Sequence, residues 1–281
     1  MSDPRAALVA GEASGDLLAG LLLQGMRRRW PGLQSTGIGG PQMELHGFLP
    51  QWPYEKLAVR GYVEVLRQYR EIVGIRNQLR ERLLRERPDV FIGVDAPDFN
   101  LGLEEQLRKA GVPTVHFVCP SIWAWRMKRV EKLRRSCDHV LCVFPFEPEL
   151  LAKHGVAATY VGHPLASVIP MEPDKAAART TLGLPATGEV VALLPGSRAS
   201  EVEALAARFL AAAAVLQKQR PEAWFVIPAM PALQARISQL ARSGPSPRHL
   251  TIVTGRSHAA LAACDVALVA SGTATLETAL F

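Results

Sequence analysis

Short apolar runs separated by stretches of helical spacing recur along this chain in two series, and that alternation limits the fold more than any other feature. The first series is Ala6 to Ala10, Val90 to Val94, Thr114 to Val118, His139 to Val143 and Thr159 to Val161. The second is Val190 to Leu194, Trp224 to Pro228, Leu250 to Val253 and Val266 to Ala270. Helical stretches run from Leu17 to Trp30, from Glu201 to Gln219 and from Ala232 to Arg242. Parallel strands need a crossover, usually a helix, so the pattern predicts an α/β fold whose parallel sheets are covered on both faces. Pro164, Pro170, Pro173 and Pro185 break the stretch between the two series. The expected organisation is therefore a domain over 1–163, a linker over 164–188 and a second domain over 189–281. Ligands of doubly wound sheets bind beyond the carboxyl ends of the strands, and two facing halves are expected to form a cleft.

Composition excludes several classes. With 281 residues, 48% hydrophobic and 21% charged, the chain has the make-up of a folded globular protein. No apolar run reaches the roughly 18 residues of a membrane span. Met1-Ser2-Asp3-Pro4-Arg5 leads straight into an apolar run, so no secretory signal and a cytoplasmic location are expected. Cys119, Cys137, Cys142 and Cys264 lack C-x-x-C spacing and are read as reduced. A net charge of +6 favours acidic or phosphorylated partners. Thr273 to Phe281 reads as the opening of a helix without a stop signal, so the second domain is expected to be incomplete.

Five loops are candidates to carry the chemistry, four of them at the ends of predicted strands. In Gly11-Glu12-Ala13-Ser14-Gly15-Asp16, small residues let backbone N–H groups approach an anion, while the alternative is a tight turn capped by Asp16 or Ser14. Gly37-Ile38-Gly39-Gly40-Pro41 reads as a turn before another helix. In Gly93-Val94-Asp95-Ala96-Pro97-Asp98-Phe99-Asn100, Asp98 and Asn100 are expected to cap the next helix, and Asp95 is a candidate to take a proton from a hydroxyl. Pro195-Gly196-Ser197-Arg198 offers a close backbone and a planar guanidinium for a diphosphate, with an Arg198 salt bridge to Glu201 or Glu203 as the alternative. It lacks the Lys-Ser or Lys-Thr of a P-loop. In Ser271-Gly272-Thr273-Ala274-Thr275-Leu276-Glu277, Ser271 and Thr273 are candidate caps at a phosphate-binding turn. Glu277 suits ribose hydroxyls or the first turn of the helix. His163 stands where the halves meet, as a hinge residue or a rival base.

Two segments are basic. Residues 60–87 hold 8 Arg against 4 Glu, interleaved with Tyr62, Val65, Leu66, Tyr69, Ile72, Val73, Leu79 and Leu83; 126–135 holds 6 basic residues against Glu131. Such a stripe fits an anionic membrane surface or an acylated substrate, or an ordinary helix facing the core. Nucleic acid is not expected, since no recognised module is present.

Taken in order, these segments resemble one family, the bacterial lipid-A-disaccharide synthases. The resemblance rests on Val9-Ala10-Gly11-Glu12-Ala13-Ser14-Gly15-Asp16, Gly39-Gly40-Pro41-x-Met43 and Pro88 through Asn100. It continues through Pro120-Ser121-Ile122-Trp123-Ala124-Trp125-Arg126, Val161-Gly162-His163-Pro164, Leu194-Pro195-Gly196-Ser197-Arg198 and Ala270-Ser271-Gly272-Thr273-Ala274-Thr275-Leu276-Glu277. It implies a GT-B-like glycosyltransferase without metal or cofactor. Such an enzyme joins UDP-2,3-diacylglucosamine to 2,3-diacylglucosamine 1-phosphate (lipid X), releases UDP and inverts the donor carbon. Carried onto these positions, Asp95 is the expected base, Arg198 stabilises the leaving diphosphate, and Glu12 assists proton transfer or lines the acceptor side. Ser14, Gly15, Asn100, His163, Gly196, Ser197, Ser271, Gly272, Thr273 and Glu277 are the expected substrate contacts. Peripheral binding at the inner face of the cytoplasmic membrane is implied, and homo-oligomerisation is left open. The alternatives are an enzyme like UDP-N-acetylglucosamine 2-epimerase and a fragment that binds lipid or UDP-sugar without turnover.

Overall fold

The computed structural model describes residues 3–57, 62–122 and 128–281 and divides into two compact units, the first ending at Pro164 and the second running Leu165–Phe281. In the first unit the strands are β1 (Arg5–Ala10), β2 (Gln34–Gly39), β3 (Phe48–Pro53), β4 (Val90–Val94), β5 (Thr114–Phe117), β6 (His139–Cys142) and β7 (Ala158–Tyr160). They form one parallel sheet in the order β3-β2-β1-β4-β5-β6-β7. In the second unit β8 (Val190–Leu194), β9 (Trp224–Ala229), β10 (Leu250–Thr254) and β11 (Val266–Val269) form a parallel sheet in the order β10-β9-β8-β11. The α/β expectation therefore holds in both units.

Period-two alternation explains how each sheet is buried. On β1, Ala6, Leu8 and Ala10 pack with Leu18, Ala19 and Leu23 of the helix Ala13–Arg29. Ala7 and Val9 face the other way, onto Ile75, Leu79 and Leu83 of Tyr62–Glu86 and onto Phe99, Leu103 and Leu107 of Pro97–Lys109. In the second unit Val191 and Leu193 meet Val202, Ala206 and Leu210 of Ala199–Gln219. Val190, Ala192 and Leu194 meet Ala178, Leu182, Ala260 and Leu261. Each fully buried Leu or Val of these layers contributes about 1.5–3 kcal/mol.

Three expectations are corrected here. Gly37 and Gly39 belong to strand β2 rather than to a turn. Gly37 has φ +141°, and a Cβ there would overlap the Leu8 carbonyl oxygen on β1, so only glycine permits this strand approach. The edge strand β3 was not anticipated, because its two prolines argue against a central strand and are tolerated only at an edge. The predicted linker contains the helix Lys175–Leu182, capped by Asp174, whose carboxylate accepts the Ala177 N–H at 2.9 Å. From that helix the buried Arg179 donates to the carbonyls of Ala263 (3.0 Å) and Ala186 (3.0 Å) and pairs with Asp265 at 2.9 Å. The stretch 165–188 thus belongs to the second unit, and Ala178, Leu182 and Leu184 join its core.

Candidate active site

Each sheet has one point where consecutive crossovers leave in opposite directions. In the first unit it lies between β1 and β4, and in the second between β8 and β11. The crevice beyond the carboxyl ends at such a point is where doubly wound sheets bind ligands. Four of the five loops chosen from the sequence are the ones that follow β1, β4, β8 and β11.

At the first switch point the loops after β1 and β4 touch: a Cβ at Gly11 would lie 3.0 Å from the Ala96 Cβ. Glu12 and Ser14 are partly exposed there, and Gly15 is buried. Glu12 is the N-cap position of Ala13–Arg29, with no side-chain cap bond. Asp16 caps a different element from the one expected. Its buried carboxylate accepts the backbone N–H groups of Gly40 (2.8 Å), Gln42 (2.9 Å) and Met43 (3.2 Å), tying the first helix to the start of Pro41–Glu44.

The turn after β4 is strained. Asp95 and Ala96 both occupy the left-handed region, at φ +49° and +43°, and neither is glycine. Such pairs persist only where the surroundings over-determine them, and they collect at functional sites. Three bonds do so here. The Asp95 N–H donates to the Phe117 carbonyl at 2.9 Å, the Asn100 amide donates to the Asp95 carbonyl at 2.9 Å, and the Asn100 N–H donates to the Ala96 carbonyl at 3.0 Å. Neither Asp98 nor Asn100 caps the helix as expected. Its N-cap is Ala96, Asp98 is exposed and pairs with Arg129 at 2.7 Å, and Asn100 is fully buried. The Asn100 amide also reaches the carbonyls of Val9 (3.3 Å) and Val94 (3.4 Å), so its work is to hold the turn together. His163, partly exposed, follows Gly162 (φ +77°) at the end of the first unit.

Beneath this turn lies a buried glutamate–histidine pair that residue order did not reveal. Glu104 and His116 are both fully buried, with Glu104 Oε1 2.7 Å from His116 Nδ1. Burial opposes charge on the imidazole, but the charge and hydrogen bond of Glu104 and the charge of Asp95 outweigh it and raise its pKa above the ordinary value. The one sequence signal was an acid on the apolar face of a helix, between Leu103 and Leu107.

At the second switch point Gly196 has φ +124°, and a Cβ there would lie 2.5 Å from the Glu201 Cβ. Glu201 accepts the N–H groups of Ser197 (3.0 Å) and Arg198 (3.3 Å) and pairs with the Arg198 guanidinium. The salt bridge weighed as the alternative role of Arg198 is therefore formed. After β11, Ser271 and Gly272 are exposed, and Gly272 is the N-cap of Thr273–Ala279 without a side-chain cap bond. Ser271 thus makes no cap, and the side chain of Thr273 lies outside the described residues. Glu277 is not a first-turn acid; its Oε1 lies 2.6 Å from His258 Nε2.

Of the basic and apolar stripe, Leu79 and Leu83 are spent on the core, with Ile72 packed beside them. Arg60 and Trp123-Ala124-Trp125-Arg126 lie outside the described residues, as do the side chains of Tyr62, Val65, Leu66 and Tyr69. Among the described residues no helix is long and apolar enough to cross a membrane.

Two doubly wound parallel sheets in one chain, each with glycine-bearing polar loops at its switch point, define a GT-B-like fold. Solved structures agree on the fold. UDP-GlcNAc 2-epimerase from Methanocaldococcus jannaschii, in complex with UDP-GlcNAc and UDP, matches with a TM-score of 0.65 at 12% identity, over 95% of this chain and 79% of that one. MurG of Acinetobacter baumannii matches at 0.51 and 15%, over 98% and 75%. The family model described as lipid-A-disaccharide synthetase matches residues 6–281. The lipid-A-disaccharide synthase of Albidiferax ferrireducens is 65% identical over 276 residues, 98% of this chain and 71% of that protein. That of Verminephrobacter eiseniae is 62% identical over 278 residues, 99% and 72%. The chain belongs to the lipid-A-disaccharide synthetase family, whose members are glycosyltransferases.

Proposed function

We propose that the chain transfers a diacylglucosaminyl group from UDP-2,3-diacylglucosamine to the 6-hydroxyl of 2,3-diacylglucosamine 1-phosphate, giving the β-1,6-linked disaccharide phosphate and UDP. The observation that carries the residue roles is the strained turn at Asp95, which sets a carboxylate-bearing residue at the switch point of the first sheet. In this reading the Asp95 carboxylate accepts the hydroxyl proton as the acceptor oxygen bonds to the donor's anomeric carbon. The bond from that carbon to the diphosphate oxygen breaks, and UDP leaves with the electron pair, inverting the centre. Arg198, oriented by Glu201, neutralises the charge that develops on the diphosphate, and the Gly196-Ser197 backbone lies close to it. Ser271, Gly272 and Thr273 contact the phosphates, and Glu277 exchanges His258 for ribose hydroxyls. Glu12, Ser14 and Gly15 line the acceptor side, with Asn100 acting through the turn it holds. His163 is kept as a substrate contact.

Both substrates carry acyl chains, and a net charge of +6 suits an anionic surface, so we place the enzyme peripherally at the inner face of the cytoplasmic membrane. An epimerase reading has only likeness of fold behind it, at 11–12% identity. The test is UDP release from the donor in the presence of lipid X, with product analysis, for the full chain and its Asp95→Asn form. The expected result is a disaccharide product and a loss of roughly 10²–10⁴-fold in kcat for the variant, with donor binding retained. Near-normal turnover of the variant would overturn Asp95 as base, and a converted UDP-sugar without disaccharide would overturn the transferase reading.

A further inference from the structure

The Glu104–His116 pair sits in register with the proposed base rather than elsewhere in the core. Gly93, two residues before Asp95 on β4, is the ladder partner of His116 on β5. The Glu104 carboxylate fills the space above Gly93, where a Cβ would overlap its Oε1 and lie 2.9 Å from the Asn100 Cβ. Glu104 is one helical turn beyond Asn100, whose amide bonds the Asp95 carbonyl. The residue after His116 is Phe117, whose carbonyl accepts the Asp95 N–H. The pair therefore links both elements that hold the strained turn.

As packing, the pair is a poor solution. Glu104 Oε2 and His116 Nε2 are buried, and each lacks a hydrogen-bond partner among the described residues, whereas apolar side chains of similar size would leave nothing unmet. The described titratable groups that face His116 are Glu104 from the helix Pro97–Lys109, Asp95 from the turn and Cys137 from the segment entering β6. The thiol pKa of Cys137 is itself pushed up by burial and by Glu104.

We propose that Glu104 and His116 are positioning residues for the transferase reaction, a buried pair that locks the Asp95–Ala96 turn from the strand and the helix that hold it. The inference rests on the reading of Asp95 as the base. Charge coupling is reciprocal: the Asp95 charge favours the protonated form of His116, and protonation of His116 in turn favours the charged form of Asp95.

The experiment has two arms on the full chain. In the first, His116 is followed by ¹⁵N NMR titration in the native protein and in Asp95→Asn, which leaves the core pair untouched. Removing the Asp95 charge is expected to lower the His116 midpoint, and an unmoved midpoint would overturn the proposal. In the second, kcat and KM are measured against pH for His116→Asn, which retains a donor near the Nδ1 position, and for Glu104→Gln. The expected result is a kcat roughly 10–100-fold lower, KM within about two-fold, and an acid limb displaced to higher pH. A loss of folded protein without displacement of the acid limb in what remains would mean a merely structural pair and overturn the proposal. Full turnover of Asp95→Asn, by contrast, would overturn the base reading, and the titration arm would still report whether the two residues are coupled.

Discussion

At the switch point of the first sheet, Asp16, Asn100, Glu104 and His116 are all buried, and their bonds run between different elements. At that of the second, Arg198 and Glu201 are three residues apart and keep 30% and 27% of their side-chain surface exposed, and His258, which pairs with Glu277, keeps 39%. Bonds anchored in the core hold one geometry whether or not a ligand is present. Partly exposed pairs are weakly held and exchange partners readily. The pre-formed geometry thus falls in the unit with the proposed base, and the exchangeable contacts fall in the unit proposed to meet the nucleotide.

Substitutions break this contrast in order of their effect on turnover. Arg198→Ala removes the cation and is expected to cost roughly 10²–10³-fold in kcat. Thermal melting should move little, because an exposed pair contributes about 1 kcal/mol or less. A large drop in melting temperature would show that the pair is structural after all. Gly93→Ala tests the other unit. The new Cβ must displace Glu104 and Asn100, which are confined by the core, so destabilisation of about 1–3 kcal/mol is expected in denaturant titrations, together with roughly ten-fold lower kcat. Gly196→Ala is the matching change in the second unit. It strains a φ of +124° and crowds Glu201, so the donor KM should rise several-fold with a stability loss of about 1 kcal/mol. Equal stability losses for the two glycine variants would erase the distinction between the units.

The smallest effect on turnover is expected at Glu147, buried at the start of the helix Glu147–Ala152. Burial pushes its carboxyl up to about 7, against the N–H groups of Phe144 and Val143, which favour the charged form. Because the folded pKa is raised, this group's contribution to stability is complete below the unfolded value near 4.5 and is lost as pH rises through about 7. Glu147→Gln should therefore flatten the stability–pH curve over that window while turnover stays unchanged. An unaltered curve would show that the buried carboxyl does not titrate there.

Much of this was legible from residue order, and what escaped did so for identifiable reasons. β1, β4 and β8 announce themselves as continuous apolar runs because both of their faces are buried. β2, written Gln-Ser-Thr-Gly-Ile-Gly, carries little apolar signal, and its pairing with β1 depends on the space left by Gly37. The loops after β1, β4, β8 and β11 could be chosen because glycine, serine and acids after an apolar run mark a strand's carboxyl end. Glu104 and His116 could not, since they lie twelve positions apart on two different elements, a helix and the strand that follows it.

Residue order alone settles the α/β class, the strands of both series apart from β2 and β3, and the polar loops after β1, β4, β8 and β11, because periodicity and turn residues are local properties. Tertiary structure alone decides which loops share a switch point, that Asp16 caps a helix other than its own, that Asn100 serves a turn, and that a glutamate and a histidine meet beneath Asp95. Those outcomes depend on strand order and on the space left by glycines at 37 and 93, quantities that exist only once the sheet has formed.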